Sequence, residues 1–363
     1  LSDKALDLQI KSYRDKEDER RQIQLLKDNS EKRAELIKEG KIQELIGLSS
    51  SEVAGLRALR YSDIIRPYTL EDYTSDTMAS EEGLSTGYNK LDLYAKIPQE
   101  AITIIAGRPA HGKTTLLLNL MINMVRKYPD KHFYFFSYEE ARRRLVDMCL
   151  AIMSRDILNE NQNLDAISAY IKRGDASRPA LQKALFEFSD LACSGRLMLI
   201  DKPYFVDELA GHIDRLSQED SNLGGVFIDY IQKVKVKGLT GKESRQVQIQ
   251  KVSEAIRETA VSSRIPILCG AQLGRPDNRG KEEDAITLDN LRESGDIEQD
   301  ANLVLGLLNE AMRLKDKGKD EESSRISVNK TPLQITILKN RHGYQAKEPL
   351  TLNFNRPISL ITD

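Results

Sequence analysis

One short motif constrains the fold of this 363-residue chain more than any other feature. It follows a buried apolar stretch and precedes an apolar helical one, and it consists of Gly107, Arg108, Pro109, Ala110, His111, Gly112, Lys113 and Thr114. The pattern Gly-x-x-x-x-Gly-Lys-Thr is that of a phosphate-binding loop between a strand and a helix. Backbone N–H groups of such a loop, together with the helix N-terminus, surround the phosphates of a nucleotide. The motif therefore predicts an α/β domain that binds a nucleotide.

The residue types within the loop predict its chemistry. Lys113 is expected to reach the β- and γ-phosphate oxygens, and the Thr114 hydroxyl is expected to bind Mg²⁺. The predicted nucleotide-binding set is the eight loop residues and Thr115. We interpret His111 as an exposed filler of a variable loop position rather than as a catalytic residue. The expected cofactors are ATP and Mg²⁺.

Short apolar runs separated by helical segments recur from residue 102 onward, as expected for buried parallel strands with crossover helices. The runs are residues 102–106, 133–136, 197–200, 225–228, 267–269, 303–305 and 335–338. They predict a doubly wound, mostly parallel sheet with helices on both faces, whose ligands bind at the carboxyl edge of the strands. We interpret the polar segment between Asn309 and Pro332 as a flexible loop.

Residues 1–83 have a different character. Residues 1–45 are rich in both acidic and basic residues, with Leu6, Ile10 and Tyr13 at helical spacing, which predicts a solvated helix with a thin apolar stripe. Two interpretations stay open, a charged surface helix or linker and a helix that docks on a neighbouring subunit. We expect residues 1–83 to form a helical linker or interaction region and residues 84–363 to form the ATPase domain. The first residue is Leu1 rather than a start methionine, which leaves open that the chain is a fragment.

Composition restricts the cellular environments and the classes of partner that we expect for this chain. Lys plus Arg number 54 and Asp plus Glu 56, a formal charge of -2, so any site for a polyanion must be a local patch. No apolar stretch approaches the roughly 18 residues of a membrane span, so we expect a cytoplasmic protein without a membrane partner. The three cysteines show no disulfide or zinc spacing.

Hydrolysis of a nucleotide also requires a carboxylate that holds the metal and one that polarises water, both at strand ends facing the loop. Asp229 ends the run 225–228 and is the predicted Walker B aspartate. Glu139 follows the run 133–136, which we interpret as the strand beside the phosphate loop in a RecA-type order. Glu139 is the predicted base for water; Glu140 is its competitor, and sequence position favours Glu139.

Several further motifs follow in a fixed order, at residues 85–92, 136–139, 227–232, 271–275, 291–300 and 339–343. Together with the phosphate loop, this set resembles the motifs of DnaB-family replicative helicases over about residues 84–356. Glu140, Ala271 and Gly274 depart from that family's usual Met, Ser and Asn. The resemblance implies a RecA-type motor in a bacterial or phage-type replication context. It further implies a hexameric ring with ATP sites between subunits, and primase or a helicase loader as further partners.

The resemblance also assigns roles at two more strand ends. Lys339 and Arg341 would lie on the same side of a last strand, so that both cations reach one γ-phosphate. By analogy that phosphate belongs to the neighbouring subunit, with Arg341 as the arginine finger and Lys339 as its companion. Gln272 would sense the γ-phosphate and relay its loss to the next loop.

Two local basic patches predict contact with single-stranded DNA. They comprise Lys233, Lys235, Lys237, Lys242 and Arg245 in one segment and Arg275, Arg279 and Lys281 in the next. Neither patch offers aromatic residues for base stacking, which favours a sequence-independent grip on the phosphates. Their assignment to a ring channel rests mainly on the resemblance.

The sequence thus predicts an ATP-dependent DNA helicase motor that translocates on single-stranded DNA and unwinds duplex DNA as a homo-hexamer. One alternative is the helicase half of a primase-helicase fusion. Another is a RecA-type ATPase switch of the KaiC-like kind, without unwinding. The basic patches and the motif at residues 291–300 argue against the switch.

Overall fold

The computed structural model describes residues 29–41, 44, 48, 83–154, 168–169, 173, 179–238, 245–274, 286–288, 295–341, 343, 346 and 348–363. The chain separates into two compact units, Leu1–Ser80 and Glu81–Asp363. In the first unit, helix α1 spans Ser30–Lys38 and its Leu36 side chain is buried. The apolar stripe predicted at Leu6, Ile10 and Tyr13 lies outside the described residues.

The second unit is built on a nine-stranded sheet of order β3-β2-β4-β5-β1-β6-β7-β8-β9. The strands are β1 Ile102–Gly107, β2 His132–Ser137, β3 Leu197–Ile200, β4 Leu223–Asp229, β5 Ile267–Gln272, β6 Leu303–Asn309, β7 Thr331–Asn340, β8 Leu350–Asn355 and β9 Leu360–Thr362. The strands from β3 to β6 in this order are parallel, and β7, β8 and β9 pair antiparallel. All seven predicted strands are present, and the predicted fold class is confirmed.

Helices cover both faces of this sheet. They are α2 Asn89–Asp92, α3 Lys113–Lys127, α4 Arg142–Met153, α5 Pro179–Cys193, α6 Val206–Glu219, α7 Arg245–Ser262, α8 Gly295–Asp300, α9 Glu310–Asp316 and α10 Asp320–Arg325. Successive strand residues point to opposite faces, so Ile105 belongs to the core cluster that contains residues of α3, α4 and α5, whereas Ile104 belongs to the cluster that contains residues of α6 and α7. Within the described part of the chain, no helix is both long and apolar enough to cross a membrane.

Two expectations about this unit are wrong. Strand β2 does not lie beside β1; it pairs with β3 and β4, and β1 lies between β5 and β6, because the crossover through α3 passes over two strand positions. The segment from Asn309 to Pro332 is not a loop, because it contains α9 and α10. The Asn309 Oδ1 accepts from the Met312 N–H at 3.2 Å and caps α9, and the buried Ser323 hydroxyl donates to the Ala311 carbonyl at 2.8 Å. These bonds let a polar sequence form a helical hairpin.

Candidate nucleotide-binding site

The phosphate loop lies at the carboxyl edge of the sheet, between the end of β1 at Gly107 and the start of α3 at Lys113. Gly112 has a φ of 94°, in the left-handed region that disfavours side chains. A Cβ at this position would also lie 3.3 Å from the Phe354 ring. The loop therefore needs glycine here both for its backbone conformation and for its packing against β8.

His111 is fully buried, which shows that our interpretation of this residue as an exposed filler is wrong. Its Nδ1 accepts from the Asn309 N–H at 3.1 Å, and its Nε2 lies 3.3 Å from the Asp316 Oδ2. A backbone N–H can only donate, so the proton of the neutral ring is on Nε2, facing Asp316. Burial lowers the pKa of His111, which favours this neutral form. The Arg108 Nη1 lies 3.8 Å from the same carboxylate, so Asp316 of α9 holds two residues of the loop.

The predicted metal-binding pair, Thr114 and Asp229, is brought together. The Thr114 hydroxyl at the start of α3 donates to the Asp229 Oδ2 at the end of β4, at 2.7 Å. Asp229 is fully buried, and burial raises its pKa to about 6. Gly270 on β5 leaves room for the carboxylate, because a Cβ there would lie 3.0 Å from the Asp229 Oδ1.

These two residues fit a magnesium ion. The Asp229 Oδ1 is buried and has no hydrogen-bond partner among the described residues, so one hard oxygen donor is left for a cation. The described part of the chain contains no cluster of three or more His, Cys, Asp or Glu side chains that would bind a metal alone. In P-loop proteins, one hydroxyl and one aspartate hold Mg²⁺ on the nucleotide phosphates, and the Thr114–Asp229 pair supplies those groups.

Lys113 belongs to the same charged site as Asp229 and Glu139. Its Nζ donates to the Arg108 carbonyl across the loop at 3.0 Å. Burial lowers its pKa, and the carboxylates of Asp229 and Glu139 oppose that shift. The ammonium group of Lys113 therefore interacts with two carboxylates next to the phosphate loop. From this position it would neutralise the charge of a bound phosphate.

Glu139 and Glu140 follow β2, which lies next to β4, the strand that ends at Asp229. After burial, Glu139 is the stronger of these two carboxylates in raising the Asp229 pKa, and it also acts on Lys113. Glu140 has its backbone N–H and carbonyl both bonded to the Ser137 hydroxyl, at 3.0 and 2.7 Å. The charge of Glu139 therefore acts on the phosphate-loop site more strongly than that of Glu140. Its role as the base stays a prediction.

Gln272 ends β5 with an exposed side chain, as expected for a residue that contacts a ligand. The next N–H, that of Leu273, donates to the Gly107 carbonyl at 3.1 Å, which attaches this strand end to the phosphate loop. On its other side, both backbone groups of Gln272 are bonded to the side chain of Gln232. We did not single out Gln232 from the sequence, although it lies within the motif at residues 227–232.

Arg341 lies far from the phosphate loop of its own chain. Strand β7 runs antiparallel, so Asn340 pairs with Leu303, which in turn pairs with Thr103 near the start of β1. Arg341 is therefore level with the amino end of β1, whereas the loop begins at Gly107, at the carboxyl end. The five residue steps from Ile102 to Gly107 span roughly 17 Å.

Lys339 is two residues earlier on the same strand end. Its Nζ donates to the carbonyls of Glu298 and Gln299 on α8, at 2.6 and 3.2 Å. Burial lowers its pKa, and the charge of Arg341 lowers it further. Their roles toward a phosphate stay predictions.

The first basic patch is partly described. Lys233, Lys235 and Lys237 are exposed, while Val234 between them is buried. Only Lys235 forms a bridge, with Phe205, so the expected charged strand is limited to this one pair among the described residues. The Arg245 guanidinium donates to the Gln232 carbonyl, so the Arg245 side chain is bonded to the backbone of its own chain. Four predicted DNA-binding residues lie outside the described residues: Lys242, Arg275, Arg279 and Lys281.

A mostly parallel sheet with a phosphate loop at its carboxyl edge, and a threonine–aspartate pair beside that loop, defines a RecA-type P-loop nucleotide-binding domain. The model of the DnaB-like helicase C terminal domain family matches residues 83–362. The chain belongs to this family, which confirms the resemblance seen in the sequence.

Curated relatives are replicative helicases. A probable plasmid replicative DNA helicase of Chlamydia psittaci is 30% identical over 277 residues, which are 76% of this chain and 54% of that protein. The replicative DNA helicase DnaC of Bacillus subtilis is 30% identical over 263 residues, 72% of this chain and 52% of that protein. The replicative DNA helicase DnaB of Buchnera aphidicola subsp. Acyrthosiphon pisum is 26% identical over 333 residues, 86% of this chain and 66% of that protein. The chain thus spans about half to two thirds of these relatives.

Solved structures share the fold. A DnaB-like replicative helicase, studied with its interactions with primase, superimposes with a TM-score of 0.71 at 20% identity, over 95% of this chain and 76% of the other. The ATPase domain of G40P gives a TM-score of 0.65 at 22% identity, over 81% of this chain and 96% of the other. At such identities the likeness concerns the fold.

Proposed function

We propose that this protein is an ATP-dependent replicative DNA helicase motor, which hydrolyses ATP, moves along single-stranded DNA and unwinds duplex DNA. The observation that carries the proposal is the Thr114–Asp229 pair at the phosphate loop of a DnaB-like domain. This pair gives the domain the groups that position a nucleoside triphosphate for hydrolysis rather than for binding alone.

Each residue of the site then has a role in that reaction. Lys113 neutralises the negative charge that develops on the transferred phosphate, and Glu139 accepts a proton from the attacking water. Thr114 and Asp229 would hold Mg²⁺, which adds positive charge at the phosphates when bound. Gln272 senses the γ-phosphate from the end of β5.

The position of Arg341 supports a ring of subunits. Because this residue lies at the opposite edge of the sheet from its own phosphate loop, a finger at this position serves a neighbour that is stacked head to tail. A head-to-tail contact that closes generates a cyclic oligomer, here proposed as a hexamer. The exposed lysines of residues 233–237 would contact single-stranded DNA. Residues 1–83 are proposed as a linker or interaction region, and primase or a loader as partners, since a DnaB-like relative interacts with primase.

The test is ATP hydrolysis by the purified chain with and without single-stranded DNA, together with its mass in solution with and without Mg·ATP. We expect DNA to stimulate turnover in a ring-sized oligomer, and Lys113→Ala to abolish turnover with and without DNA. Turnover that is indifferent to DNA would favour the ATPase switch. Turnover that survives in Lys113→Ala would contradict the assignment of the phosphate loop.

A further inference from the structure

The side chain of Gln232 continues the hydrogen bonding between β4 and β5 beyond the end of their ladder. The paired residues of the two strands end with Ile228 and Cys269. Past that point, the Gln232 Nε2 donates to the Gln272 carbonyl at 3.0 Å, and the Gln272 N–H donates to the Gln232 Oε1 at 3.1 Å. Gln232 is 9% exposed. A buried amide that bonds both backbone groups of one residue fixes the position of that residue.

The backbone of Gln232 is attached to both ends of the basic segment, which we define as the cations Lys233, Lys235, Lys237 and Arg245. Lys233 follows Gln232 directly, in the short 3₁₀ turn Ile231–Lys233. At the other end, the Arg245 guanidinium at the start of α7 donates to the Gln232 carbonyl. A displacement of Gln232 therefore moves the start and the end of the basic segment together.

The residue that Gln232 holds is in turn attached to the phosphate loop. The Leu273 N–H donates to the Gly107 carbonyl at 3.1 Å, and the neighbouring Gln272 exposes its side chain at the same edge of the sheet. The backbone of residues 272–273 is thus held between the first residue of the phosphate loop and the Gln232 amide. Any movement of Gln272 that follows the state of the nucleotide must stretch or carry along the Gln232 side chain.

We propose that Gln232 is a positioning residue that couples the nucleotide at the phosphate loop to the grip of the basic segment on single-stranded nucleic acid. The proposal rests on the proposed function. It identifies the residue that would transmit the state of the nucleotide to the basic segment. Glutamine suits this position because its amide offers one donor and one acceptor at the same end. Two neutral hydrogen bonds correspond to roughly a 30-fold change in an equilibrium, which sets the scale of the coupling that this contact can transmit.

Substitutions of Gln232 can separate the two bonds. Gln232→Met keeps the length of the side chain and removes both bonds, whereas Gln232→Glu keeps the acceptor and removes the donor. Asn353→Leu is a matched control, since the Asn353 Nδ2 donates to the Asp363 carbonyl at 2.9 Å between β8 and β9, away from the basic segment.

The experiment measures the affinity of the full chain for labelled oligothymidine in the presence of a non-hydrolysable ATP analogue and of ADP. The quantity of interest is the ratio of the two dissociation constants, because a general loss of folding or of affinity cancels in it. We expect a clear ratio for the unchanged chain and for Asn353→Leu, a ratio within about twofold of one for Gln232→Met, and an intermediate ratio for Gln232→Glu. By linkage, the effect of DNA on nucleotide affinity should shrink by the same factor.

Each outcome bears on one of the two proposals. A ratio of one in the unchanged chain would count against the proposed motor itself. A clear ratio that persists in Gln232→Met would overturn the role of Gln232 and leave the motor intact. If Gln232→Met does not fold at the assay temperature, Gln232→Glu decides the question, and an undiminished ratio in that variant would overturn the proposal.

Discussion

Two variants that are each inactive should restore one another when mixed, if Arg341 acts on ATP bound by the next subunit. Lys113→Ala removes the cation that the phosphate loop supplies to its own nucleotide. Arg341→Ala removes the cation that a subunit supplies to its neighbour, and a finger of this kind contributes roughly 10³-fold or more to turnover. Each variant alone is therefore expected to be nearly inactive. A mixture contains sites in which an intact Lys113 faces an intact Arg341.

The extent of recovery follows from the geometry of the sheet. Arg341 lies roughly 17 Å along the strands and about 10 Å across two strand spacings from Gly107, so close to 20 Å separates it from its own loop. No arginine side chain covers that distance, so Arg341 can act on ATP only in a site that is shared with another subunit. In an equimolar ring assembled at random, a subunit with Lys113 is followed by one with Arg341 at about one interface in four. The mixture should recover roughly one quarter of normal turnover if the sites act independently.

The assay is steady-state ATP hydrolysis with single-stranded DNA at constant total protein, with the mass of the mixed oligomer measured in parallel. The control mixes Lys113→Ala with the double variant Lys113→Ala/Arg341→Ala, which contains no intact loop and should stay inactive. A mixture that forms joint oligomers yet remains as inactive as its components would refute action between subunits.

Three further predictions concern charge and burial. Because the folded-state pKa of Asp229 is raised to about 6, the folded chain without nucleotide should lose stability as pH rises from 5 to 8, by roughly 1 kcal/mol relative to Asp229→Asn. Urea unfolding at both pH values measures this difference, and a difference of the opposite sign would contradict the raised pKa. His111→Leu leaves the buried Asn309 N–H without its acceptor and should lower the free energy of unfolding by about 1–3 kcal/mol, again by urea titration. An unchanged midpoint would show that the bond contributes nothing. Changing the three exposed lysines of the basic segment to alanine should reduce the slope of log affinity against log salt for single-stranded DNA by about 2. A slope equal to that of the unchanged chain would place the DNA contact elsewhere.

The parallel part of the sheet could be predicted because its strands are buried on both faces and therefore read as continuous apolar runs. Strand β8 was missed because its Leu and Phe residues alternate with Thr and Asn, a pattern typical of a half-buried strand rather than of a continuous apolar run. The hairpin of α9 and α10 was missed for another reason. Its side chains are mostly polar, and the capping bond of Asn309 that starts it is a local feature within an otherwise loop-like composition.

More of the chemistry of the site could be predicted from the sequence than of the residues that surround it. The loop, Thr114 and Asp229 follow from motif and spacing, since such residues act through backbone positions that a short sequence defines. The contacts of the buried His111 are made with Asn309 and Asp316, which lie about two hundred residues later in the chain. The position of Arg341 depends on the antiparallel direction of β7, which no residue of β7 itself reveals.

The Asp316 carboxylate gives the phosphate loop a support that local sequence comparison would not detect. It holds Arg108 and His111 from a surface hairpin that, as sequence, has the composition of a variable insertion. Transplanting the loop of another P-loop protein into this chain, or shortening the hairpin as a dispensable insertion, would break this support. For grafting and truncation, the phosphate loop and residues 309–325 therefore form one module, and a chimaera should exchange both or neither.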